Sequence, residues 1–181
     1  MIWLIGSKGM LGSEIAKQLT ENKISWIGTD MDVDITDPVA LEKFTMKHGS
    51  SSGRTGLSVS KGSVPDKITW VINCAAYTAV DKAEDDTELA KKLNEVGPMN
   101  IARITRQLGA KLIHISTDYV FGAEPYNTPC TEAQTGTPTG VYGLTKLHGE
   151  QKIIATECNY VIIRTAWLYS EFGKNFCKTM M

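Results

Sequence analysis

A phenol and an ammonium one helical turn apart can act as a coupled proton donor. The run GVYGLTKLHGEQ, residues 140–151, offers Tyr142 and Lys146 at that spacing. Residues four apart on a helix share one face. A cationic lysine beside a phenol stabilises the phenolate and draws its pKa toward working pH, as general acid–base chemistry requires. Tyr-x-x-x-Lys is also a common accident of helical sequence, so the pair needs company. Some comes from HISTDYVFG (114–122), where Ser116, Thr117 and Asp118 close an apolar run. A hydroxyl there can donate to a carbonyl oxygen, because ligands of open α/β sheets sit at the carboxyl ends of strands. The plainer alternative for Thr117 is a cap on the loop that follows.

A third feature lies at the start of the chain. LIGSKGMLGSEI sets Gly6, Gly9 and Gly12 in a G-x-x-G-x-x-G pattern between the first apolar run and the first helical one. The chain must turn sharply there, and a side chain would keep a pyrophosphate from the backbone N–H groups and the positive helix end. Asp30 closes SWIGTD, 18 residues after Gly12. There the dinucleotide-binding arrangement places an acid that accepts from ribose hydroxyls. A 2′-phosphate would be repelled by Asp30, with Asp32 and Asp34 adding negative charge and Lys8 the sole nearby base. Charge alone therefore favours NADH over NADPH. The alternative for Asp30 is an exposed loop carboxylate.

These residues need elements to hold them. Apolar runs at 2–6, 25–30, 69–76, 111–117 and 159–167 read as strands. Helical patterns occupy 10–22, 37–48, 87–109 and 139–157, with Pro38 near a helix start after Asp37 and an irregularity expected near Gly97-Pro98. Strand–helix alternation with continuously apolar strands predicts a doubly wound parallel α/β sheet of Rossmann type. GSSSGRTGLSVSKGSVPD (49–66) breaks the rhythm with Gly and Ser and reads as a flexible surface insertion. Arg54 and Lys61 within it leave a phosphate-binding role open.

Composition narrows the partners. With 181 residues, 42% hydrophobic and 22% charged, the chain suits one domain with a real core. A net charge of -1 without a basic stripe argues against nucleic-acid and anionic-membrane partners. No apolar run is long enough to span a bilayer, and MIWLIG reads as a first strand rather than a signal peptide. Cys74, Cys130, Cys158 and Cys177 are widely spaced and form no metal-ligand pattern, which predicts a reduced, cytoplasmic protein with no metal site. Glu14 reads as a solvated helix position, with a metal or subunit contact as its alternative. His114 reads as structural, His148 has no partner legible in the sequence, and VDKAE (80–84) reads as a structural turn.

Four blocks in order now carry a resemblance: NCAAYTAVDKAE (73–84), STDYVFG (116–122), VYGLTKLHGE (141–150) and IIRTAWLYSEFGKNF (162–176). With the glycine pattern they resemble the extended short-chain dehydrogenase/reductase superfamily and, within it, the dTDP-4-dehydrorhamnose reductase family. The resemblance spans nearly the whole chain apart from 49–66. It implies hydride transfer from NADH or NADPH to the C4 carbonyl of dTDP-4-dehydro-L-rhamnose, giving dTDP-L-rhamnose.

By resemblance, Thr117 would hydrogen-bond that carbonyl, Tyr142 would protonate the developing alkoxide, and Lys146 would hold the nicotinamide ribose and tune Tyr142. Asp118 and Trp167 would line the sugar site, with a core position the alternative for Trp167. Gly9, Met10 and Leu11 would wrap the pyrophosphate, Asp34 and Ile35 would flank the adenine, and Ala75, Ala76 and Tyr77 would pass the cofactor's middle.

The family continues well beyond the point reached at NFCKTMM. The small C-terminal substrate domain is therefore expected to be absent or only begun, leaving residues 1–181 as an NAD(P)-binding domain that turns over sugar nucleotide weakly or not at all. An uncovered sheet edge and an apolar terminal stub would favour association, such as a homodimer. Two other functions stay open: an epimerase or dehydratase of the same superfamily, and a non-catalytic regulatory subunit.

Overall fold

Short runs of Ile, Val, Leu and Trp pair edge to edge as five parallel strands: β1 (Ile2–Ile5), β2 (Trp26–Thr29), β3 (Trp70–Asn73), β4 (Lys111–Thr117) and β5 (Asn159–Thr165). Their order is β2-β1-β3-β4-β5. The computed structural model describes residues 1–48, 67–123 and 128–181; the insertion expected at 49–66 lies outside the described residues. The helices are α1 (Met10–Glu21), α2 (Pro38–His48), α3 (Thr87–Lys91), α4 (Gly97–Leu108), α5 (Val141–Ala155) and α6 (Phe176–Met180). The expected doubly wound parallel sheet is the observed one.

Parallel strands buried between helices read as continuous apolar runs because both faces are covered. One face of the sheet carries the main core. Trp3, Ile5, Val71 and Leu112 from the strands pack with Leu41 of α2, Ile101 and Ile104 of α4 and Ile153 of α5. Trp3 stacks on Phe44 at 4.7 Å, and its indole N–H donates to Thr29 Oγ1 at 2.9 Å, so its polar handle is satisfied inside the core. Strand alternation turns Leu4 to the opposite face, where it too is fully buried. That face meets α1 at β1 and β2.

Register sets where the strands end. Ile5, Asn73 and His114 lie level across β1, β3 and β4, while β4 and β5 run on together to Thr117 and Thr165. Ser116 and Thr117 therefore project past the edge at which β1 and β3 stop. Except for β4, which fills its run over 111–117, the strands are shorter than their apolar runs, and local chemistry ends them. Gly6 has φ 75°, which turns the chain out of β1. Asn73 Oδ1 accepts the Ala75 N–H at 3.0 Å and closes β3 early. Trp167 takes φ 52° just beyond β5.

The long helix expected over 87–109 is broken just before the expected Gly97-Pro98 irregularity, and those two residues open the regular α4. One π-turn, Lys92–Val96, separates α3 from α4. Among the described residues no helix is long and apolar enough to cross a membrane, and no cluster of His, Cys, Asp and Glu is arranged to hold a metal ion.

Candidate active site

The carboxyl ends of all five strands open onto one cavity of about 990 Å³. That volume reaches the upper end of the range for small-molecule and cofactor sites. Gly6 reaches it after β1, Asp30 after β2, Ala75 after β3, Thr117 at the end of β4 and Thr165 at the end of β5. A second hollow of about 450 Å³, lined by Arg103, Arg106 and Lys152 among others, lies between α4 and α5 and contains none of the candidate residues.

The glycine loop is stitched to β2 by its backbone. Gly6 and Ser7 N–H both donate to Thr29 O, at 2.8 and 3.0 Å, and Lys8 N–H donates to Asp30 Oδ2 at 3.0 Å. A Cβ on Gly12 would stand 2.0 Å from Gly6 O, and one on Gly6 would stand 2.8 Å from the Ala75 nitrogen. The loop is thus as tight as backbone allows. Gly9 begins α1 without a side-chain cap, so the positive end of the helix is left to the cavity. This cradle fits a pyrophosphate, and the carboxylate of Asp30 borders the same cavity beyond it.

Gly6, Gly9, Met10, Leu11, Asp30, Asp34, Ile35, Ala75, Ala76, Thr117, Asp118, Tyr142, Lys146 and Trp167 all line the cavity. Two expected residues do not. Gly12 is buried beneath the loop, where its lack of a side chain permits the turn. Tyr77 points away, its hydroxyl donating to Asp86 Oδ2 at 3.0 Å. Thr78 and Leu93 take up wall positions that the sequence did not signal. Thr165 and Ala166 could have been found from the rule that ligands sit at strand ends.

Tyr142 stands at the start of α5, half-buried, with Tyr119 packed edge-on at 5.6 Å between ring centroids. Lys146 is buried one turn further on, and its ammonium donates to Ile115 O at 2.7 Å. Burial brings the Lys146 pKa down to about 8, opposed by the carboxylate of Glu150 and by Cys74. The Cys74 thiol is itself pushed up to about 12, chiefly by burial.

The tuning of Tyr142 departs from the sequence expectation. Burial raises its pKa, hydrogen bonding from Thr117 works against that, and Asp118 and Tyr119 add to the rise. Lys146 is not among these influences; its ammonium donates to a backbone carbonyl of β4. Tyr142 is therefore held protonated, as a proton donor must be.

Thr117 takes its plainer reading, a cap on the loop that follows. Its hydroxyl accepts the Tyr119 N–H at 3.2 Å, capping the short 3-10 turn Asp118–Phe121, and donates to Asp118 Oδ1 at 3.1 Å at the cavity wall. Trp167 is no core residue: it is 73% exposed and meets Phe176 edge-on at 5.1 Å. His114 is structural as expected. It is fully buried, its Nδ1 lies 3.0 Å from Asn73 Nδ2, and burial holds its pKa well below the usual histidine range.

Several positioning contacts were invisible in the sequence. Asn94, within the π-turn, has a side chain that accepts the Tyr77 N–H at 2.8 Å and donates to Tyr77 O at 3.1 Å and to Thr145 Oγ1 at 3.2 Å. Asn94 thereby joins the loop after β3 to the turn of α5 between Tyr142 and Lys146. Its neighbour Glu95 pairs with His148 at 3.0 Å and Lys152 at 2.9 Å on the same helix.

Glu84, in the segment read as a structural turn, accepts the Val141 N–H at 2.8 Å and so satisfies a free donor at the start of α5. Negative charge at a helix N-terminus also opposes the macrodipole favourably. Glu84→Ala is expected to cost about 1 kcal/mol of stability, in the range for loss of an N-terminal cap. Chemical denaturation of the two proteins checks this, and an unchanged midpoint would show that the cap carries no weight.

The family model described as the RmlD substrate binding domain matches residues 1–181. Curated relatives include the dTDP-4-dehydrorhamnose reductase of Mycolicibacterium smegmatis, 41% identical over 182 residues covering 99% of this chain and 49% of that protein. The Escherichia coli protein of the same name is 36% identical over 182 residues, covering 99% and 55%. The chain thus spans about half the length of the curated relatives it matches. Among solved structures, the dTDP-4-dehydrorhamnose reductase of Clostridium acetobutylicum superposes with a TM-score of 0.84 at 43% identity, covering 99% of this chain and 57% of that one. The Bacillus anthracis reductase, in complex with NADP, gives 0.81 at 33% identity with the same coverage. Matched along its whole length by the family model and carrying the fold of these reductases, the chain belongs to the RmlD substrate binding domain family.

Proposed function

We propose that the chain is the cofactor-binding and proton-donating part of a reductase that passes hydride from NADH or NADPH to C4 of dTDP-4-dehydro-L-rhamnose, giving dTDP-L-rhamnose. The observation that carries this is the convergence of the glycine loop, Thr117, Tyr142 and Lys146 on one cavity at the strand ends. The bound nicotinamide supplies the hydride. The protein's residues do the rest. Gly9, Met10 and Leu11 hold the pyrophosphate at the start of α1, Asp34 and Ile35 flank the adenine, and Asp30 accepts from ribose hydroxyls. Asp30 favours NADH on charge, while the Bacillus anthracis relative is in complex with NADP, so both cofactors belong to the reading. Thr117 turns its one hydroxyl proton from Asp118 to the sugar's carbonyl oxygen, and Tyr142 gives its phenolic proton to that oxygen as negative charge develops. Lys146 holds the nicotinamide ribose. Asp118 and Trp167 border the sugar. A cytoplasmic setting and a homodimer complete the reading, consistent with four free cysteines and with Tyr160, Val161 and Ile163 exposed on β5.

The test is NADH and NADPH binding by fluorescence, with oxidation of either followed on addition of dTDP-4-dehydro-L-rhamnose. Because the Lys146 pKa lies at about 8, its ammonium is present below that pH and lost above it. Tyr142, with its pKa raised, stays protonated through the same interval. Binding and reduction are therefore expected to decline as pH rises past about 8. A chain that binds neither cofactor would refute the proposal.

A further inference from the structure

Glu150 lies one turn beyond Lys146 and two beyond Tyr142, so the three form a column on one face of α5. It is buried, as carboxylates seldom are without partners. The Ser116 hydroxyl donates to its Oε1 at 2.5 Å, and Arg164 grips both oxygens, with Nε at 3.0 Å from Oε1 and Nη2 at 2.7 Å from Oε2. Ser116 and Arg164 are register partners on β4 and β5, each immediately before the threonine that ends its strand at the cavity. The guanidinium also sits 4.7 Å from the Phe121 ring centroid. One carboxylate thus fastens α5 to the two strands that run furthest into the site.

We propose that Glu150 is a positioning residue: clamped by Ser116 and Arg164, its carboxylate holds α5 in register with Thr117 and sustains the Lys146 ammonium at the cavity. This rests on the reading of Tyr142 and Lys146 given above. The groups facing Lys146 are Tyr142 and Glu150 on its own helix, Cys74 from the end of β3 and His114 from β4, with Arg164 of β5 behind Glu150. Burial makes His114 neutral, and burial and Cys74's raised pKa keep that thiol uncharged. Glu150 is then the one anion among these groups, and it is the foremost influence keeping Lys146 charged against burial. Arg164 offsets that carboxylate from the far side. Removing Glu150 or Arg164 breaks the same clamp, yet the two losses change the field at Lys146 in opposite senses.

The experiment is an NADH fluorescence titration of the whole chain from pH 6 to pH 10, for the wild type, Glu150→Gln and Arg164→Gln, with Lys146→Met to identify the limb that Lys146 causes. Wild-type binding is expected to weaken above about pH 8. In Glu150→Gln that limb should move about one unit toward acid, the size an opposite charge at close range produces. In Arg164→Gln it should move toward alkali. A purely structural clamp would weaken binding in both variants without separating the two limbs. Coincident limbs, or shifts in the same direction, would overturn the proposal. Should Glu150→Gln fail to fold, Arg164→Gln decides alone, its side chain being 23% exposed and less demanding to replace; a limb at the wild-type pH would then refute it. A wild-type chain that binds neither NADH nor NADPH refutes the underlying dinucleotide reading, a result distinct from normal binding with an unmoved limb.

Discussion

Tyr142→Phe is expected to lower kcat for NADH-dependent reduction of dTDP-4-dehydro-L-rhamnose by on the order of 10²–10⁴-fold, the contribution of a positioned general acid. The phenylalanine ring keeps the shape that packs edge-on against Tyr119, so the start of α5 and the cavity wall should stay in place. What disappears is the phenolic hydroxyl, and with it the proton it would donate. Burial holds the Tyr142 pKa above its ordinary value, so in the wild type the donor is fully protonated at neutral pH. Lys146, Asp30 and the glycine loop are untouched, and NADH binding should therefore match the wild type. Steady-state rates beside a fluorescence titration separate the two effects. An unchanged kcat would remove Tyr142 from the mechanism, whereas weakened binding alone would make it a cofactor contact.

Gly12→Ala is expected to have the largest effect on the fold of any single-methyl change in the site. The new Cβ would lie 2.0 Å from Gly6 O and 2.8 Å from Gly6 C, and both are backbone atoms that no rotamer change can move. Gly6 is pinned in turn, by its N–H bond to Thr29 and by the closeness of Ala75. Relief must therefore come from lifting α1 away from β1, which opens the pyrophosphate cradle. Overpacking of this kind costs typically 1–3 kcal/mol and sometimes more. For a chain of this size 3 kcal/mol lowers the melting temperature by roughly 6–12 °C. Calorimetry and NADH titration should show both losses together. A variant that melts with the wild type and binds NADH normally would mean that the loop relaxes in a way its hydrogen bonds do not suggest.

The two predictions draw on different kinds of information. The steric demand at Gly12 was legible as a pattern, because three glycines between a strand and a helix say that backbone must come close to something. The tuning of Tyr142 was not. Its spacing from Lys146 suggested a lysine that lowers the phenol's pKa, yet the ammonium turns to Ile115 O and burial takes the pKa the other way. Spacing along a helix fixes which face two residues share; it does not fix what each head group meets across that face. VDKAE shows the same limit. Nothing local distinguishes Glu84 from any acid in a turn, and its role appears only when Val141, 57 positions away, presents a helix-end N–H to it.

By itself the sequence determined the alternation of buried strands and amphipathic helices, hence the doubly wound sheet, together with the glycine turn after β1 and the helical column that begins at Tyr142. Those features follow from periodicities of two and about 3.6 residues and from the missing side chains of glycine, which act over a few neighbours. The tertiary structure decided the rest: which strand ends meet at the cavity, that Tyr77 turns away from it, that Asn94 reaches Tyr77 and Thr145 from a π-turn, and that Glu150 joins α5 to β4 and β5. These are pairings between residues distant in the chain. They follow from the cost of leaving polar groups buried by packing without a partner, a fate that among the described side chains befalls His114 Nε2 alone, and that cost arises only after the layers have come together.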